Sequence, residues 1–259
     1  TSGVAESLVE VGDWIEKTLD APMGGLWRDF FRETFEALPI AEDRLLRELA
    51  RLKLSLATTN YDGLLESATG LRQAIWRDDE AVYAMLRGTE RGVFHVHGHF
   101  ASPTSIVLGR GSYAAVRARA NAQSALRIMA TSRSLIFIGC GDGLADPNVG
   151  PLLEWLVNEV AGFARRHYIL VSEAESPSFV NRFPVTSGIH VVVYGDDYAD
   201  LLPFVERLPT NVNPATSDRS PRPVLLNLAD FRLRSGHRTH FGHDTALIGR
   251  ETEATLLAE

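Results

Sequence analysis

The chain has 259 residues, of which 45% are hydrophobic and 23% are charged, and its formal net charge is −7. This composition predicts a soluble globular protein with one main domain. The negative charge argues against a nucleic acid or an anionic membrane as the main partner, because both select basic surfaces. The single cysteine, Cys140, excludes a disulfide framework and a thiolate zinc ribbon within this sequence.

No apolar run of the sequence approaches the roughly 20 residues that a membrane-spanning helix needs. The first residues also lack the basic and apolar regions of a signal peptide. We therefore expect a cytoplasmic protein that does not enter a membrane.

The apolar pattern alternates between helical and strand-like segments. Apolar residues at three-to-four spacing predict helices through residues 5–50, the last of them over 42–51. Further helical patterns cover 112–132 and 149–165. Short apolar runs predict strands over residues 52–57, 93–96, 105–108, 134–138, 167–171 and 190–194. Such runs suit strands buried on both faces, so we predict an α/β fold with a Rossmann-like parallel sheet flanked by helices.

The composition changes near the C-terminal end of the sequence. Residues 209–223 are rich in Pro, Asn, Ser and Thr, which is typical of a linker. We predict a domain over residues 1–208 and an extension over 224–259 with too few apolar residues for its own core. A doubly wound sheet usually begins with a strand and a glycine-rich phosphate turn. Because this sequence begins with a helical pattern, we expect that strand and turn to precede residue 1.

A first polar block, Thr58-Thr59-Asn60-Tyr61-Asp62, follows the first predicted strand. Sheets of this kind bind their ligands at the carboxyl ends of the strands. An Asn there can hold an amide or a sugar hydroxyl. The alternative is structural, because Asn and Asp are common in turns, and Asp62 could cap the helix that follows Gly63.

A second block holds three alternating histidines, His95, His97 and His99. Alternation would place all three on one face of a strand, and three histidines could hold zinc. The strand is expected to end at Gly98, however, so we favour one functional residue, His97, with the other two structural or orienting. Gly98 has no side chain and would let a ligand approach the backbone.

A third block, Gly139-Cys140-Gly141-Asp142-Gly143, is a glycine-rich turn after the most apolar strand. Its backbone N–H groups could face a ligand, although any tight connection can be glycine-rich. No base is paired with Cys140 in the sequence, so we expect a small buried residue rather than a nucleophile. The sequence contains no Gly-x-x-x-x-Gly-Lys-Ser/Thr segment, and therefore no phosphate loop of the ATPase type.

In their order, these blocks resemble the sirtuin-like domains of bacterial antiphage defence proteins. The resemblance covers about residues 40–195 and rests on four motifs: Thr58-Thr59-Asn60-Tyr61-Asp62, His97-Gly98, Ser105-Ile106-Val107-Leu108-Gly109 with Ser112-Tyr113, and Phe137-Ile138-Gly139-Cys140-Gly141 with Asp146-Pro147-Asn148. It implies that Asn60 and His97 are the catalytic pair for cleaving NAD. It also implies that NAD is bound by Thr59, Asp62, Gly98, Gly139, Gly141, Asp142 and Asp146, with Asp62 beside the nicotinamide carboxamide and Gly139, Gly141 and Asp142 near the adenosine half.

The wider sirtuin family includes protein deacylases, which carry a four-cysteine zinc module beside the acyl-lysine cleft. One cysteine cannot build that module. The resemblance therefore implies hydrolysis of NAD itself, to nicotinamide and ADP-ribose or a cyclised product, without a metal in this domain. The alternatives are a domain that senses NAD or ADP-ribose without catalysis, and an NAD-dependent deacylase.

The segment Leu247-Ile248-Gly249-Arg250-Glu251 resembles the opening of signal-transducing NTPase modules of the STAND type. This resemblance implies the effector domain of a larger sensor protein, with an NTPase module in the same polypeptide. It further implies activation by self-association into an oligomer or filament, and no direct binding of nucleic acid by this domain.

Overall fold

The computed structural model of the chain describes residues 2–40, 42–140, 149–155 and 166–209. Within these ranges the helices are α1 (Ser2–Thr18), α2 (Gly25–Phe35), α3 (Arg44–Arg51), α4 (Leu64–Thr69), α5 (Asp79–Arg87), α6 (Arg110–Ala118), α7 (Ala120–Ser132), α8 (Val149–Trp155), α9 (Ser176–Arg182) and α10 (Leu201–Glu206). The strands are β1 (Leu56–Thr58), β2 (Arg72–Ile75), β3 (Gly92–His95), β4 (Ile136–Ile138), β5 (His167–Ser172) and β6 (Ile189–Gly195).

The six strands form two parallel sheets of three strands each. The order of the first sheet is β1-β3-β2, and that of the second is β4-β5-β6. In the first sheet Thr58 pairs with His95, and His95 pairs with Ile75 on its other side. Parallel strands separated by helices define an α/β protein, so the predicted Rossmann-like class is confirmed.

Each sheet has its own apolar core, and its central strand is the most buried. All four residues of β3 are buried, and five of the six residues of β5 are. Phe94 packs in one core with Trp76 and Val107, while Ile169 packs in another with Leu153. The continuous apolar runs therefore became strands covered on both faces, as expected for a parallel sheet.

Most of the predicted elements are found, with shifted ends. The predicted N-terminal helices are confirmed as α1, α2 and α3. The first strand begins four residues later than predicted, at Leu56, because α3 continues to Arg51 and Lys53 then adopts a φ of 55°. The predicted helix over 112–132 is two helices, since Arg119 between them is extended. The predicted helix over 149–165 begins as α8, and residues 156–165 lie outside the described residues.

Two predictions about strands were wrong. Residues 105–108 do not form a strand: a 3₁₀ turn ends at Ser105, and the following backbone bonds to loops. The Val107 N–H donates to the His97 carbonyl at 2.9 Å, and the Val107 carbonyl accepts from the Tyr61 hydroxyl at 2.7 Å. Strand β2 was missed because two of its four residues are exposed and give no apolar run.

None of the described helices is both long and apolar enough to span a membrane.

Helix α1 packs closely against the start of α6. The Gly109 and Arg110 N–H groups donate to the Glu16 and Asp13 carboxylates at 2.8 and 2.6 Å. These carboxylates occupy the positive end of the α6 dipole and bind N–H groups at its first turn. Gly12 makes the approach possible, because a Cβ there would lie 2.3 Å from the Leu108 carbonyl oxygen.

The contact between α1 and residue 108 predicts the effect of a methyl group at Gly12. Gly12→Ala should lower the free energy of unfolding by about 1–3 kcal/mol, since backbone must move to admit the methyl group. The matched control is Gly111→Ala in α6, where an added Cβ meets nothing within 4 Å. That control should stabilise by about 0.5–1 kcal/mol, the usual gain of Ala over Gly in a helix. Urea unfolding of both variants checks the prediction; a Gly12→Ala protein as stable as the control would contradict it.

Candidate active site

The two predicted catalytic residues leave neighbouring strands from the same edge of the first sheet. Thr58 is the last residue of β1, His95 is the last residue of β3, and the two are register partners. Asn60 and His97 each lie two residues beyond that pair. The carboxyl edge of a parallel sheet is where ligands bind in this class of fold. The structure therefore brings together the two loops that carry the predicted pair.

Hydrogen bonds join these two loops along their length. The Val96 N–H donates to the Thr58 carbonyl at 2.9 Å, and the Phe100 N–H donates to the Tyr61 carbonyl at 2.8 Å. Between them, the Nδ1 atom of His95 donates to the Asn60 carbonyl at 2.9 Å. Three successive contacts of this kind hold the loops in a fixed relation, which a shared site requires.

The two predicted catalytic side chains differ in exposure. Asn60 and its neighbour Thr59 are exposed. His97 is only 4% exposed, and its ring meets the Tyr113 ring edge-on at 5.4 Å between centroids. The Asn60 amide can meet a solute directly, whereas the imidazole of His97 lies beneath the surface. Direct contact of His97 with a ligand stays a prediction.

Asp62 has the structural role that sequence analysis left open. Its Oδ1 atom accepts from the Leu64 N–H at 3.0 Å and so stabilises the turn that leads into α4, whose N-cap residue is Gly63. The side chain is half-buried at the same edge as Asn60. Its contact with nicotinamide stays a prediction, as does the contact of Thr59 with NAD.

Gly98 is required by packing within the protein. Its φ is +85°, and a Cβ there would lie 2.2 Å from the Ser105 carbonyl oxygen. We expected the missing side chain to make room for a ligand, but the group that approaches it in the structure is the Ser105 backbone. The motif therefore has a structural cause, and ligand contact at Gly98 stays a prediction.

Gly139 lies at the carboxyl end of β4, in the second sheet, with a φ of +64°. A Cβ there would meet nothing within 4 Å, so this glycine borders open space. It lines a pocket together with Cys140, Glu175, Tyr194 and Tyr198, which lie near the carboxyl ends of the same three strands. The other predicted binding residues of this region, Gly141, Asp142 and Asp146, lie outside the described residues.

Cys140 is half-buried in this pocket. Burial raises the pKa of its thiol above the usual value, so the protonated form dominates at neutral pH. A protonated thiol is a poor nucleophile. The expectation that Cys140 is not a nucleophile agrees with this environment.

A polar cluster that was not predicted from the sequence lies beside the Asn60 backbone. Glu66 of α4, His95 and His99 each offer an atom that could bind a metal, and these atoms lie within 4.8 Å of one another. The Nε2 atom of His95 lies 2.7 Å from Glu66 Oε1, within hydrogen-bond distance. Glu66 is separated from His95 by 29 residues, so only the alternation of the three histidines hinted at this cluster.

The protons of the cluster argue against metal binding in the arrangement observed. The Nδ1 atom of His99 accepts from the Ala101 N–H at 3.1 Å, so the ring proton of neutral His99 is on Nε2. Burial, with a smaller contribution from His95, lowers the pKa of His99 to about 4, so the ring is neutral at pH 7. A nitrogen that carries a proton cannot coordinate a metal. The absence of a metal from this domain stays a prediction.

Parallel sheets with polar loops at the carboxyl ends of their strands define the nucleotide-binding class of α/β proteins. Within this class, residues 54–192 match the SIR2-like domain family. The chain belongs to that family, whose members are NAD-dependent enzymes. The match begins just before β1 and ends within β6, so it contains both candidate loops and the described part of the glycine-rich turn. It confirms the sirtuin-like resemblance.

The burial of His99 predicts a loss of stability in weak acid. Its pKa is about 4 in the folded protein and about 6.5 when unfolded, so between these values the unfolded chain binds a proton that the native state does not. Stability should therefore fall as pH decreases from about 6.5 toward 4, and recover as pH rises. His167, whose pKa is also lowered by burial, acts in the same direction.

The test compares the native protein with His99→Gln. The free energy of unfolding is measured by urea titration at about pH 7 and about pH 5. The native protein should lose more stability between these two values than the variant does. An equal loss in both proteins would show that His99 does not resist protonation in the folded state.

Proposed function

We propose that this domain is an NAD glycohydrolase, which cleaves the bond between ribose and nicotinamide. The observation that carries the proposal is the position of Asn60 and His97: both lie two residues past one register pair, in a chain that belongs to a family of NAD-dependent enzymes. The products are nicotinamide and ADP-ribose, or a cyclised ADP-ribose.

The reaction requires little acid assistance but close control of the attacking group. The bond from ribose C1′ to nicotinamide breaks, and neutral nicotinamide leaves with the electron pair. The sugar passes through an oxocarbenium-like centre, as in glycoside hydrolysis. The oxygen of water then bonds to C1′, and its proton passes to a base and on to solvent. In cyclisation, a nitrogen of the adenine takes the place of water.

The proposed roles follow from the chemistry of the two side chains. Asn60, which is exposed, orients the attacking water or the ribose hydroxyls through its amide. His97 accepts the proton as a general base, because an unprotonated imidazole nitrogen is a proton acceptor. Its ring is buried and packs edge-on against Tyr113, which limits the orientations of the proposed base.

The remainder of NAD would extend to the second sheet. The exposed Tyr198 and the half-buried Tyr194 supply aromatic faces for adenine in the pocket beside Gly139, and the Glu175 carboxylate can accept hydrogen bonds from ribose hydroxyls. Asp62 and Gly98 would face the nicotinamide half, together with Thr59. We assign Gly141, Asp142 and Asp146 to the adenosine half by the same proposal.

A second candidate is a domain that binds NAD or ADP-ribose and transmits its occupancy without chemistry. The burial of His97 favours it, because a general base must reach its substrate. The presence of both Asn60 and His97 favours the enzyme, since a sensor needs no base. A protein deacylase is a third candidate.

Replacing the proposed pair tests the mechanism. Asn60→Ala and His97→Ala should each lower NAD turnover by about 10²-fold or more, the usual cost of losing a positioned polar or acid-base group. The matched controls are Asn181→Ala, at an exposed position of α9, and His190→Ala, in β6. Both controls should keep native turnover. A folded Asn60→Ala protein with full activity would contradict the mechanism.

Chromatography of the reaction products separates the three candidate functions. Incubation of the protein with NAD should yield nicotinamide and ADP-ribose, or nicotinamide and a cyclic product. A deacylase would release nicotinamide only when an acyl-lysine peptide is added. Saturable NAD binding with no product, under every activating condition, would identify a sensor.

We further propose that the domain is the effector of a bacterial antiphage protein and is held inactive until activation. Unrestrained loss of NAD would harm the cell that makes it, so an NAD hydrolase needs an off state. Self-association into an oligomer or filament, driven through residues 209–259 by a STAND-type NTPase module of the same polypeptide, would supply the switch. In this proposal residues 1–208 form the catalytic domain and residues 209–223 the linker.

Activation by self-association predicts a weak isolated domain. Turnover per protomer of a fragment with residues 1–208 should rise steeply with protein concentration, or on fusion to a scaffold that forces association. Turnover is followed by nicotinamide release, and the association state by light scattering. A strictly monomeric fragment that cleaves NAD rapidly would contradict the proposal.

A further inference from the structure

The backbone of Asn60 is held on both sides by side chains. Its N–H donates to the Thr58 hydroxyl at 3.0 Å, and its carbonyl accepts from His95 Nδ1 at 2.9 Å. Asn60 lies in neither a helix nor a strand, so no regular ladder fixes its peptide groups. These two hydrogen bonds therefore determine the direction in which its backbone runs.

His95 is well suited to hold that carbonyl. It is fully buried, at 0% exposure, and a carbonyl oxygen can only accept, so Nδ1 carries a proton. At the opposite side of the ring, Nε2 lies 2.7 Å from Glu66 Oε1. Each ring nitrogen therefore has a hydrogen-bond partner at a fixed position in the structure. A ring held at both ends cannot rotate.

Glu66 in turn belongs to the helix that starts directly after the Asn60 loop. It is at the third position of α4, whose first N–H group donates to Asp62. The side chain of Glu66 is 18% exposed, and its second oxygen is buried without a hydrogen-bond partner among the described residues. A buried carboxylate of this kind is costly unless it is paired. The hydrogen bond to His95 offsets the cost of burying the Glu66 carboxylate. The same histidine ring holds the Asn60 carbonyl.

We propose that Glu66 and His95 are positioning residues, which fix the peptide between Asn60 and Tyr61 and thereby aim the Asn60 amide at the ribose. The proposal rests on the proposed role of Asn60 in NAD cleavage. Its physical basis is the sensitivity of such reactions to placement, since a displacement of about 1 Å can cost about 10²-fold in rate. Neither Glu66 nor His95 needs to touch NAD.

The same three side chains could be regarded as a metal site. His95 alone fits that function, because a metal-bound histidine usually donates its other N–H to a carbonyl. His99 does not fit, because its Nδ1 accepts a hydrogen bond from the Ala101 N–H and the proton of the neutral ring is therefore on Nε2. We therefore assign the cluster to positioning, and metal binding becomes one outcome of the test.

Two substitutions of His95 test its two hydrogen bonds separately. The amide nitrogen of Asn superimposes approximately on His Nδ1, and that of Gln on His Nε2. His95→Asn keeps a donor toward the Asn60 carbonyl and loses the bond to Glu66. His95→Gln keeps a donor toward Glu66 and loses the bond to Asn60. Both variants replace a buried polar residue with a similar one, so a difference between them reports on the lost contact rather than on general destabilisation.

We expect the two His95 variants to differ in kcat, with little change in KM for NAD. His95→Gln should lower kcat by about 10²-fold, whereas His95→Asn should stay within about 10-fold of the native value. Glu66→Ala should lower kcat by about 10–100-fold, the usual effect of losing an orienting contact. Glu66→Gln should restore most of that loss, because the Gln amide can donate to Nε2 while Nδ1 still donates to Asn60.

A measurement without NAD tests the contact itself. The amide of Tyr61 belongs to the same peptide group as the Asn60 carbonyl, so its NMR shift reports on the hydrogen bond from His95. That shift should change in His95→Gln and stay close to native in His95→Asn. Equal shifts in the two variants, or equal kcat values, would overturn the proposal.

Asn60→Ala, assayed in parallel, distinguishes failure of the positioning proposal from failure of the proposed function of Asn60. An inactive Asn60→Ala with a fully active His95→Gln would refute the positioning proposal alone. A fully active Asn60→Ala would refute the proposed function of Asn60, and the Tyr61 shift would still decide whether His95 holds the loop. One equivalent of zinc bound by the native protein and lost in His99→Gln, with activity abolished by a chelator, would replace positioning by a metal site.

Discussion

The candidate site depends on the pairing of β1 with β3. That pairing sets Thr58 beside His95, and it lets three hydrogen bonds form between the loops beyond the strands: Val96 to Thr58, His95 to Asn60 and Phe100 to Tyr61. A shift of one residue in register would turn His95 to the opposite face of the sheet and break its contact with the Asn60 carbonyl. The register of β1 against β3 therefore determines the geometry of the candidate site.

The fold class could be predicted from sequence because buried parallel strands leave a strong apolar signal. The runs that became β3, β4, β5 and β6 were all found. Residues 105–108 gave the same signal for a different reason: Ile106 and Val107 are buried as part of a loop that packs in the core. Burial and strand formation cannot be separated from so short an apolar run. The opposite error affected β2, which was not predicted. Its residues Arg72 and Gln73 are exposed, so the paired strand has no apolar run.

The site itself was only partly visible from sequence. The order of the motifs predicted Asn60 and His97 as the catalytic pair, because each follows an apolar run, and the structure shows that their loops are hydrogen-bonded to each other. The contacts around them were not visible, since Glu66 and His95 are 29 positions apart in the sequence. Nor could sequence say what approaches Gly98: the glycine was evident, but the neighbour that excludes a side chain there is the Ser105 backbone.

The segment from Val107 to Arg110 has a consequence for how the domain responds to force. Its first residue bonds to the His97 backbone and to the Tyr61 hydroxyl, while Gly109 and Arg110 bond to carboxylates of α1. A force on α1 would therefore reach both candidate loops through four consecutive residues, without passing through either sheet. Helix α1 is thus coupled by hydrogen bonds to the segment that holds the candidate loops, and a partner that binds α1 would not need to contact the proposed NAD site to move Asn60 and His97.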